Sequence, residues 1–159
     1  MGRPHRCRDH CQGRRAALIH FNNHQHGEEI CEAAGTLFHP QNAVISRTID
    51  GELAGGVVYQ EYTGSAVSMH VAGFMPFWMN KTLLWIFFDY PFNQLGCKKV
   101  FGLVPSTNHK ALEFDRKIGF KEETRLSDAI PDGDMIVLSM YREDCRWLKI
   151  KPELLHEVT

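Results

Sequence analysis

Residues 98–120 constrain the fold of this chain more than any other stretch of the sequence. The apolar run 98–104 has the length of an interior strand, and Pro105 stops it. Asn108 offers a side-chain oxygen of the kind that caps a helix, and Gly119 can adopt the left-handed conformation that ends one. Between them, three apolar residues recur at helical spacing: Ala111, Phe114 and Ile118. The stretch therefore predicts a buried strand followed by a helix that packs on a sheet.

The residues before this stretch predict most of that sheet. Asp50-Gly51 joins two β-branched runs, 43–49 and 53–62, and is a strong hairpin signal. Gly55-Gly56 within the second run indicates a bulge or a close backbone approach. A third strand follows at 65–72, with one apolar face made by Val67, Met69 and Val71. Weaker patterns predict a first strand at 16–21 and a helix at 25–34.

Three further elements complete the predicted order. A nearly all-apolar helix is predicted at about 77–95, and Pro91 should kink or shorten it. A strand follows at about 121–126, and the run 135–141 predicts a last strand that is buried on both faces. We therefore predict an α/β (α+β) fold whose mixed sheet has one crossover near its centre.

The composition bounds the range of functions. A chain of 159 residues with a net charge of −1 fits one domain and gives no electrostatic case for nucleic acid or a membrane surface. We predict a flexible basic tail at 1–13, one domain at 14–148 and a C-terminal tail at 149–159. Five scattered cysteines and the lack of a signal peptide favour the cytoplasm.

The histidines and cysteines of the chain are candidates for metal ligands or nucleophiles. Four potential zinc ligands lie close together near the start of the chain, but zinc sites usually join separated segments, so we predict no metal site there; they are His5, Cys7, His10 and Cys11. A second group is predicted to face solvent: His20, His24 and His26. Cys97 and Cys145 lack an evident histidine partner, which argues against thiol catalysis.

Several motifs resemble the GCN5-related N-acetyltransferase (GNAT) superfamily, over roughly residues 44–148. The run from Tyr90 to Gly96 resembles the Tyr-Ala-Phe-x-x-Leu-Gly that ends the central helix in the ribosomal-protein acetyltransferase branch. Three further segments are similar to the rest of that branch: Asn108-x-x-Ala111 with Gly119-Phe120, Asp132-Gly133-Asp134 and Cys145-Arg146-Trp147. Variants of this type are often encoded by phages or prophages. The resemblance implies a mostly antiparallel sheet of about six or seven strands, splayed near its centre and flanked by helices.

The resemblance also implies acetyl-CoA as co-substrate. In the family, the pantetheine arm lies between the splayed strands, and the pyrophosphate sits on the N-terminus of the following helix. The family motif there, Gln/Arg-x-x-Gly-x-Gly/Ala, aligns with residues 75–80, where none of its three signature residues is present. Trp78 stands in place of the first glycine. The residues implied to contact the cofactor are Val71, Ala72, Gly73, Trp78, Met79, Asn80, Lys81 and Asn108.

Two residues are candidates for the base that accepts a proton from an amine, namely Glu61 and His70. His70 is the better placed, although a lone histidine on a strand is also compatible with a structural role. Where many family members carry a tyrosine that protonates the leaving thiolate, this chain has Asp115, which is ionised at neutral pH unless strongly perturbed. Asn108 either contacts the cofactor or caps a helix.

Two functional hypotheses remain open at this point. One is an N-acetyltransferase that moves acetyl from acetyl-CoA to a small-molecule or peptide amine by direct attack in a ternary complex. The other is a catalytically silent GNAT-fold protein that acts as a structural or interaction module, as in a phage particle. The missing phosphate motif and three aromatic residues at the helix entry favour the second: Phe74, Phe77 and Trp78. The apolar run 135–141 could contribute to a homodimer.

Overall fold

The computed structural model describes residues 15–150. The four potential zinc ligands near the start of the chain lie outside this range, as do the predicted basic tail and most of the predicted C-terminal tail. Within residues 15–150, no helix is both long and apolar enough to cross a membrane.

Seven strands form a single sheet, in the order β1-β2-β3-β4-β5-β7-β6. All neighbouring strands are antiparallel except β4 and β5, which are parallel. The strands are β1 (Ala17–Phe21), β2 (Ala43–Ile49), β3 (Glu52–Gln60), β4 (Ala66–Gly73), β5 (Lys99–Pro105), β6 (Lys121–Ile130) and β7 (Gly133–Tyr141). The helices are α1 (His24–Ala34), α2 (Lys81–Asp89) and α3 (His109–Ile118). The predicted fold class is confirmed.

The sheet splits between β4 and β5. These two strands pair only from Ala66 with Lys99 to Ser68 with Phe101. Beyond that point β4 stays bonded to β3, and β5 stays bonded to β7. The remaining residues of β4 and β5 therefore present two unpaired backbone edges in the middle of the sheet.

The helices cover the two faces of the sheet unequally. On one face, α1 packs Ile30 and Cys31 against Val44 of β2 and Val58 of β3. The larger core lies on the other face, where α2 and α3 contribute Phe87, Phe88, Leu112 and Ile118. Because α2 and α3 straddle the split, the gap between β4 and β5 opens into the larger core.

The predicted central helix is wrong at its start and interrupted at its end. It begins at Lys81 rather than near Phe77, because Phe77 has a φ of 58° and the Asn80 side chain accepts the backbone N–H of Leu83 as an N-cap. Its last turn, Tyr90–Gln94, is a π-helix that contains Pro91. Proline cannot donate to the preceding turn, so the predicted disruption at Pro91 is confirmed.

Local signals were accurate elsewhere. Asp50 and Gly51 have φ values of 51° and 83°, the left-handed pair that a two-residue hairpin turn requires. β6 was predicted too short, because it bulges beside β7 and continues to Ile130. β7 is not fully buried on both faces: Ile136, Leu138 and Met140 point into the core, whereas on the other face Ser139 is buried but Val137 is half-buried and Tyr141 is 43% exposed.

The prediction that the three histidines face solvent is wrong for two of them. His20 Nε2 lies 2.8 Å from the hydroxyl of Thr48, and His26 Nδ1 lies 2.7 Å from the hydroxyl of Ser46. Both hydroxyl residues are buried beside α1. These histidines are partners of buried polar groups, a role that depends on the pairing of β1 with β2 for His20 and on the packing of α1 against β2 for His26.

Candidate functional site

A cleft of about 740 Å³ occupies the split in the sheet. β4 forms one side of it and β5 the other, while α2 and α3 close the side toward the core. The C-terminal end of α1 borders the opposite side through Ala33 and Ala34. This volume lies within the range of sites for small organic ligands.

Trp78 closes the β4 side of the cleft. Its indole lies flat over a glycine pair, Gly55 of β3 and Gly73 of β4, which face each other in register. A Cβ at either glycine would overlap the ring, so both positions require glycine. The Arg47 guanidinium donates to the carbonyl of Trp78 and fixes the backbone there. Only 9% of Trp78 is exposed, so it is part of the core as well as a wall of the cleft.

The sequence predicted either a bulge or a close backbone approach at Gly55-Gly56 in β3, and the structure has both. The β2–β3 register shifts beside Arg47, and Ile30 of α1 approaches Gly56 from the other face. The sequence indicated the need for glycine but not which side chains lie against it.

The inner end of the cleft is apolar and reaches into the core. Nine lining side chains are less than a tenth exposed: Met69, Trp78, Leu84, Phe87, Phe88, Val104, Ile118, Phe120 and Leu138. Gly102 of β5 lies at this end, in register with Leu138 of β7. A Cβ on Gly102 would have only the Met69 carbonyl oxygen within 4 Å, at 3.6 Å. The space that a side chain at this position would fill is thus left open.

His70 lies on β4 and lines the cleft. Its Nε2 is 3.3 Å from the Ser68 hydroxyl, and that hydroxyl donates to the carbonyl of Gln60. The hydroxyl oxygen must therefore accept from Nε2–H, which leaves Nδ1 as the nitrogen able to take a proton. Burial lowers the pKa of His70, although the Glu61 carboxylate opposes this, so the ring is a free base at neutral pH.

Asp115 lies on α3 and also lines the cleft. Burial raises the pKa of its carboxyl from 3.8 to about 6, and no charged or hydrogen-bonding neighbour among the described residues contributes to the shift. The cleft holds two other titratable side chains, His70 and Lys110. Asp115 is therefore still mostly ionised at pH 7, but the raised pKa leaves about a tenth of the molecules protonated there and about half of them near pH 6.

The structure brings most of the predicted site residues together. Six line the cleft: His70, Val71, Gly73, Trp78, Met79 and Asn108. Four do not. Ala72 packs with the α1 side of the core, and Glu61 lies exposed just beyond the end of β3. Asn80 and Lys81 are exposed at the start of α2, where Asn80 caps the helix.

The helix-cap role of Asn108 is observed directly. Its side-chain oxygen accepts the backbone N–H of Ala111 at 3.2 Å. The same residue lines the cleft, so capping and ligand contact are compatible.

Sequence reasoning placed Asp115 at the family's proton-donor position but left it out of the site residues, because burial of its carboxyl was not foreseen. Asp115 follows Asn108 and Ala111 at helical spacing on the cleft side of α3, so the spacing also supports its place in the site. The empty space at Gly102 carried a weaker signal, a glycine inside a buried strand.

Comparison with known proteins gave structural matches only. No family model matches the sequence, and no curated protein matches it significantly. A mutant of spermidine N-acetyltransferase SpeG from Vibrio cholerae has a TM-score of 0.61 at 14% identity, over 80% of this chain and 94% of that chain. The structure of yncA from Salmonella typhimurium with its cofactor acetyl-CoA has a TM-score of 0.60 at 13% identity, over 79% and 94%.

A third similar structure is ribosomal-protein-S5-alanine acetyltransferase from Vibrio fischeri. Its TM-score is 0.52 at 14% identity, over 70% of this chain and 64% of that chain. At these identities the comparisons show similarity of fold alone. The chain therefore has the GNAT fold.

Proposed function

We propose that this protein is an N-acetyltransferase that moves an acyl group from an acyl-CoA thioester to a primary amine. Acetyl-CoA is the simplest donor of this class. The observation that carries this proposal is the cleft between β4 and β5, which combines two unpaired strand edges with His70 and Asp115. The amine attacks the thioester directly in a ternary complex.

The unpaired edges suit an extended, amide-containing arm. Val71 and Gly73 belong to the part of β4 that has no partner across the gap, so their strand can bond to pantetheine as it would to an added strand. At the start of α2, Asn80 already satisfies the N–H of Leu83. The first amides of α2 and the ammonium of Lys81 are then available to the pyrophosphate.

Trp78 does not block this path by itself. It lies against Gly55 and Gly73 rather than over the first turn of α2. The chain lacks the glycine-rich loop that wraps phosphates in the family, so we expect more of the binding free energy to come from the pantetheine arm.

His70 acts as the base in this proposal. Its free Nδ1 takes a proton from the amine as the nitrogen attacks the carbonyl carbon, and its lowered pKa keeps it unprotonated at neutral pH. Glu61 lies outside the cleft and raises the pKa of His70 through its charge, so we assign it a supporting role.

Asp115 acts as the acid. As the carbon–sulfur bond breaks, the electron pair moves to sulfur, and the carboxyl proton of Asp115 neutralises the thiolate. A pKa of about 6 allows the proton to be present near neutral pH and makes its transfer to a more basic thiolate favourable.

The acceptor class can be searched with two amines suggested by similar structures. SpeG is a spermidine acetyltransferase, and the Vibrio fischeri protein acts on an alanine of ribosomal protein S5. Spermidine and a peptide with N-terminal alanine therefore sample a small-molecule amine and a peptide amine.

The direct test is a transfer assay with these two acceptors and acetyl-CoA, followed by mass spectrometry of the acceptor. We expect acetylation of at least one acceptor, and a loss of about 100-fold or more in kcat for His70→Ala. His70→Gln keeps the bond to Ser68 without supplying a base, so it should be as inactive as His70→Ala. If His70→Gln retained full activity, the assignment of the base would be wrong.

One observation favours the alternative of a silent interaction module. Phe77 is 97% exposed with a φ of 58°, and Phe74 beside it is half-exposed, which is an unusual surface for a helix entry. The proposed enzyme must both bind CoA and acetylate an amine, whereas a silent module would acetylate none.

A further inference from the structure

We propose that the space at Gly102 receives the acyl chain of the donor, and that this chain is a linear acyl group of about four to six carbons rather than acetyl alone. We call this space the acyl chamber: Met69 and Leu138 adjoin Gly102, and Phe87 and Phe88 line the same cleft. The inference rests on the proposed function and specifies its donor.

The position of Gly102 in β5 makes the chamber unusual. The neighbouring inward-facing residues of the strand are Val100, which is fully buried, and Val104, which is 8% exposed. A core strand normally continues with a β-branched residue at such a position. Here the backbone has no positive φ and the position has room for a Cβ, so neither strain nor crowding requires glycine.

The walls of the chamber have the chemistry of an alkyl site. Leu138 is fully buried, and Phe87 and Phe88 are each 1% exposed. The polar side chains that line the cleft are at other positions, namely His70 on β4, Asn108 at the cap of α3, and Lys110 and Asp115 on α3. An apolar chain would remove further apolar surface from water, whereas a polar acyl group would leave its polar atoms unsatisfied there.

The chamber also lies where an acyl group must be. It adjoins Met69, the first residue of β4 beyond the last paired position, so it is at the apex of the split. An arm that runs along β4 from the start of α2 directs its thioester end toward that apex. The methyl group of acetyl would reach only the entrance of the chamber.

Calorimetric titration with CoA, acetyl-CoA, butyryl-CoA and hexanoyl-CoA tests the proposal without an acceptor. Each buried methylene should tighten binding about fourfold, so butyryl-CoA should bind about fifteenfold more tightly than acetyl-CoA. Gly102→Val should reduce the butyryl-to-acetyl affinity ratio to about one, and Gly102→Ala should give an intermediate ratio. Phe101→Val changes the opposite face of the same strand, outside the cleft, and should keep the wild-type ratio.

The possible failures are distinguishable. If CoA binds but the affinities of wild type do not rise with chain length, or if Gly102→Val retains the rise, the acyl chamber is refuted and the proposed function stands. If CoA itself does not bind, both proposals fall. Thermal unfolding of each variant tests whether a reduced butyryl-to-acetyl affinity ratio is caused by unfolding of the variant.

Discussion

The glycines on the two sides of the cleft have opposite surroundings. On the β4 side, Trp78 fills the space above Gly73 and its partner Gly55 so closely that no side chain could be added. On the β5 side, the corresponding space at Gly102 is open, with one atom within 4 Å of an added Cβ. Glycine thus allows close packing of a side chain on the β4 side, and it leaves an unfilled space on the β5 side.

This difference shows how the chain keeps an open cleft between β4 and β5 although it lacks the glycine-rich motif of the enzymes that its sequence resembles. Trp78 stands where that motif would have its first glycine. Its ring packs on Gly55 and Gly73, and Arg47 donates to its carbonyl, so Trp78 forms the β4 side of the cleft. The cleft then extends toward β5 and α3, where Gly102 and Asp115 lie. Stability should therefore depend more on the packed glycines of the β4 side than on Gly102, whereas ligand contacts are expected from both sides of the cleft.

Removal of the Trp78 ring should have the largest effect on stability. Trp78→Ala empties the space above two glycines, and we expect a loss of about 3–5 kcal/mol in the free energy of unfolding. Phe77→Ala, which removes an almost fully exposed aromatic ring from the same loop, should change stability by less than about 0.5 kcal/mol. Urea denaturation measures both, and similar losses would contradict the proposed division.

Asp115→Asn should stabilise the protein while abolishing efficient transfer. The folded-state pKa of about 6 lies above the ordinary value of 3.8, so the folded state binds protons more tightly than the unfolded chain. The resulting penalty grows as pH rises from about 4 to about 6 and is complete above that range, where it reaches at most about 3 kcal/mol. Denaturation at pH 8 and pH 4 should show the gain for the variant only at pH 8.

The same carboxyl should shape the activity profile. In wild type, kcat/KM should fall as pH rises through about 6, because Asp115 loses the proton that it donates. Asp115→Asn should lack this falling limb and have a rate lower by about 100-fold. A variant that is more stable but equally active would show that Asp115 is only a buried charge.

Substitution of alanine for Gly73 and for Gly102 compares the stability of the β4 and β5 sides of the cleft directly. Gly73→Ala forces the Trp78 ring to move and should cost about 1–3 kcal/mol. Gly102→Ala fits in ordinary contact and should be neutral or stabilising by up to about 1 kcal/mol. Thermal unfolding of the pair decides the matter, and equal losses would mean that Gly102 is also tightly packed.

Asn108→Ala should have the smallest of these effects. Loss of the bond to Ala111 removes the N-cap of α3 and should cost about 1 kcal/mol, whereas Asn108→Ser should restore most of it. If the butyryl-CoA to acetyl-CoA affinity ratio differed between Asn108→Ala and Asn108→Ser, Asn108 would also contact the ligand.

Much of the fold followed from local signals in the sequence. The Asp50-Gly51 turn, the caps of α3 and the strand before Pro105 depend on residues that are close in the chain. The start of α2 was missed because the positive φ of Phe77 has no local signature in a bulky residue. The true extent of β6 depends on bulges against β7, which is a non-local feature.

The site was less predictable, because its chemistry comes from tertiary burial. The pKa of Asp115 depends on residues from several elements that close over α3, and the bond between His70 and Ser68 depends on the twist and packing of β4. That Trp78 would lie on Gly55 and Gly73 required knowledge of the β3–β4 register. Spacing could place these residues near one another but could not give their protonation or contacts.

An NMR titration of CoA into ¹⁵N-labelled protein is the most direct test of the central claim that the split sheet binds the donor. We predict saturable amide shifts concentrated at Val71 and Gly73 on β4 and at Gly102 and Val104 on β5, with only small shifts in β1 and β2. An absence of shifts at millimolar CoA, or shifts confined to residues outside the cleft such as Trp85, would contradict it.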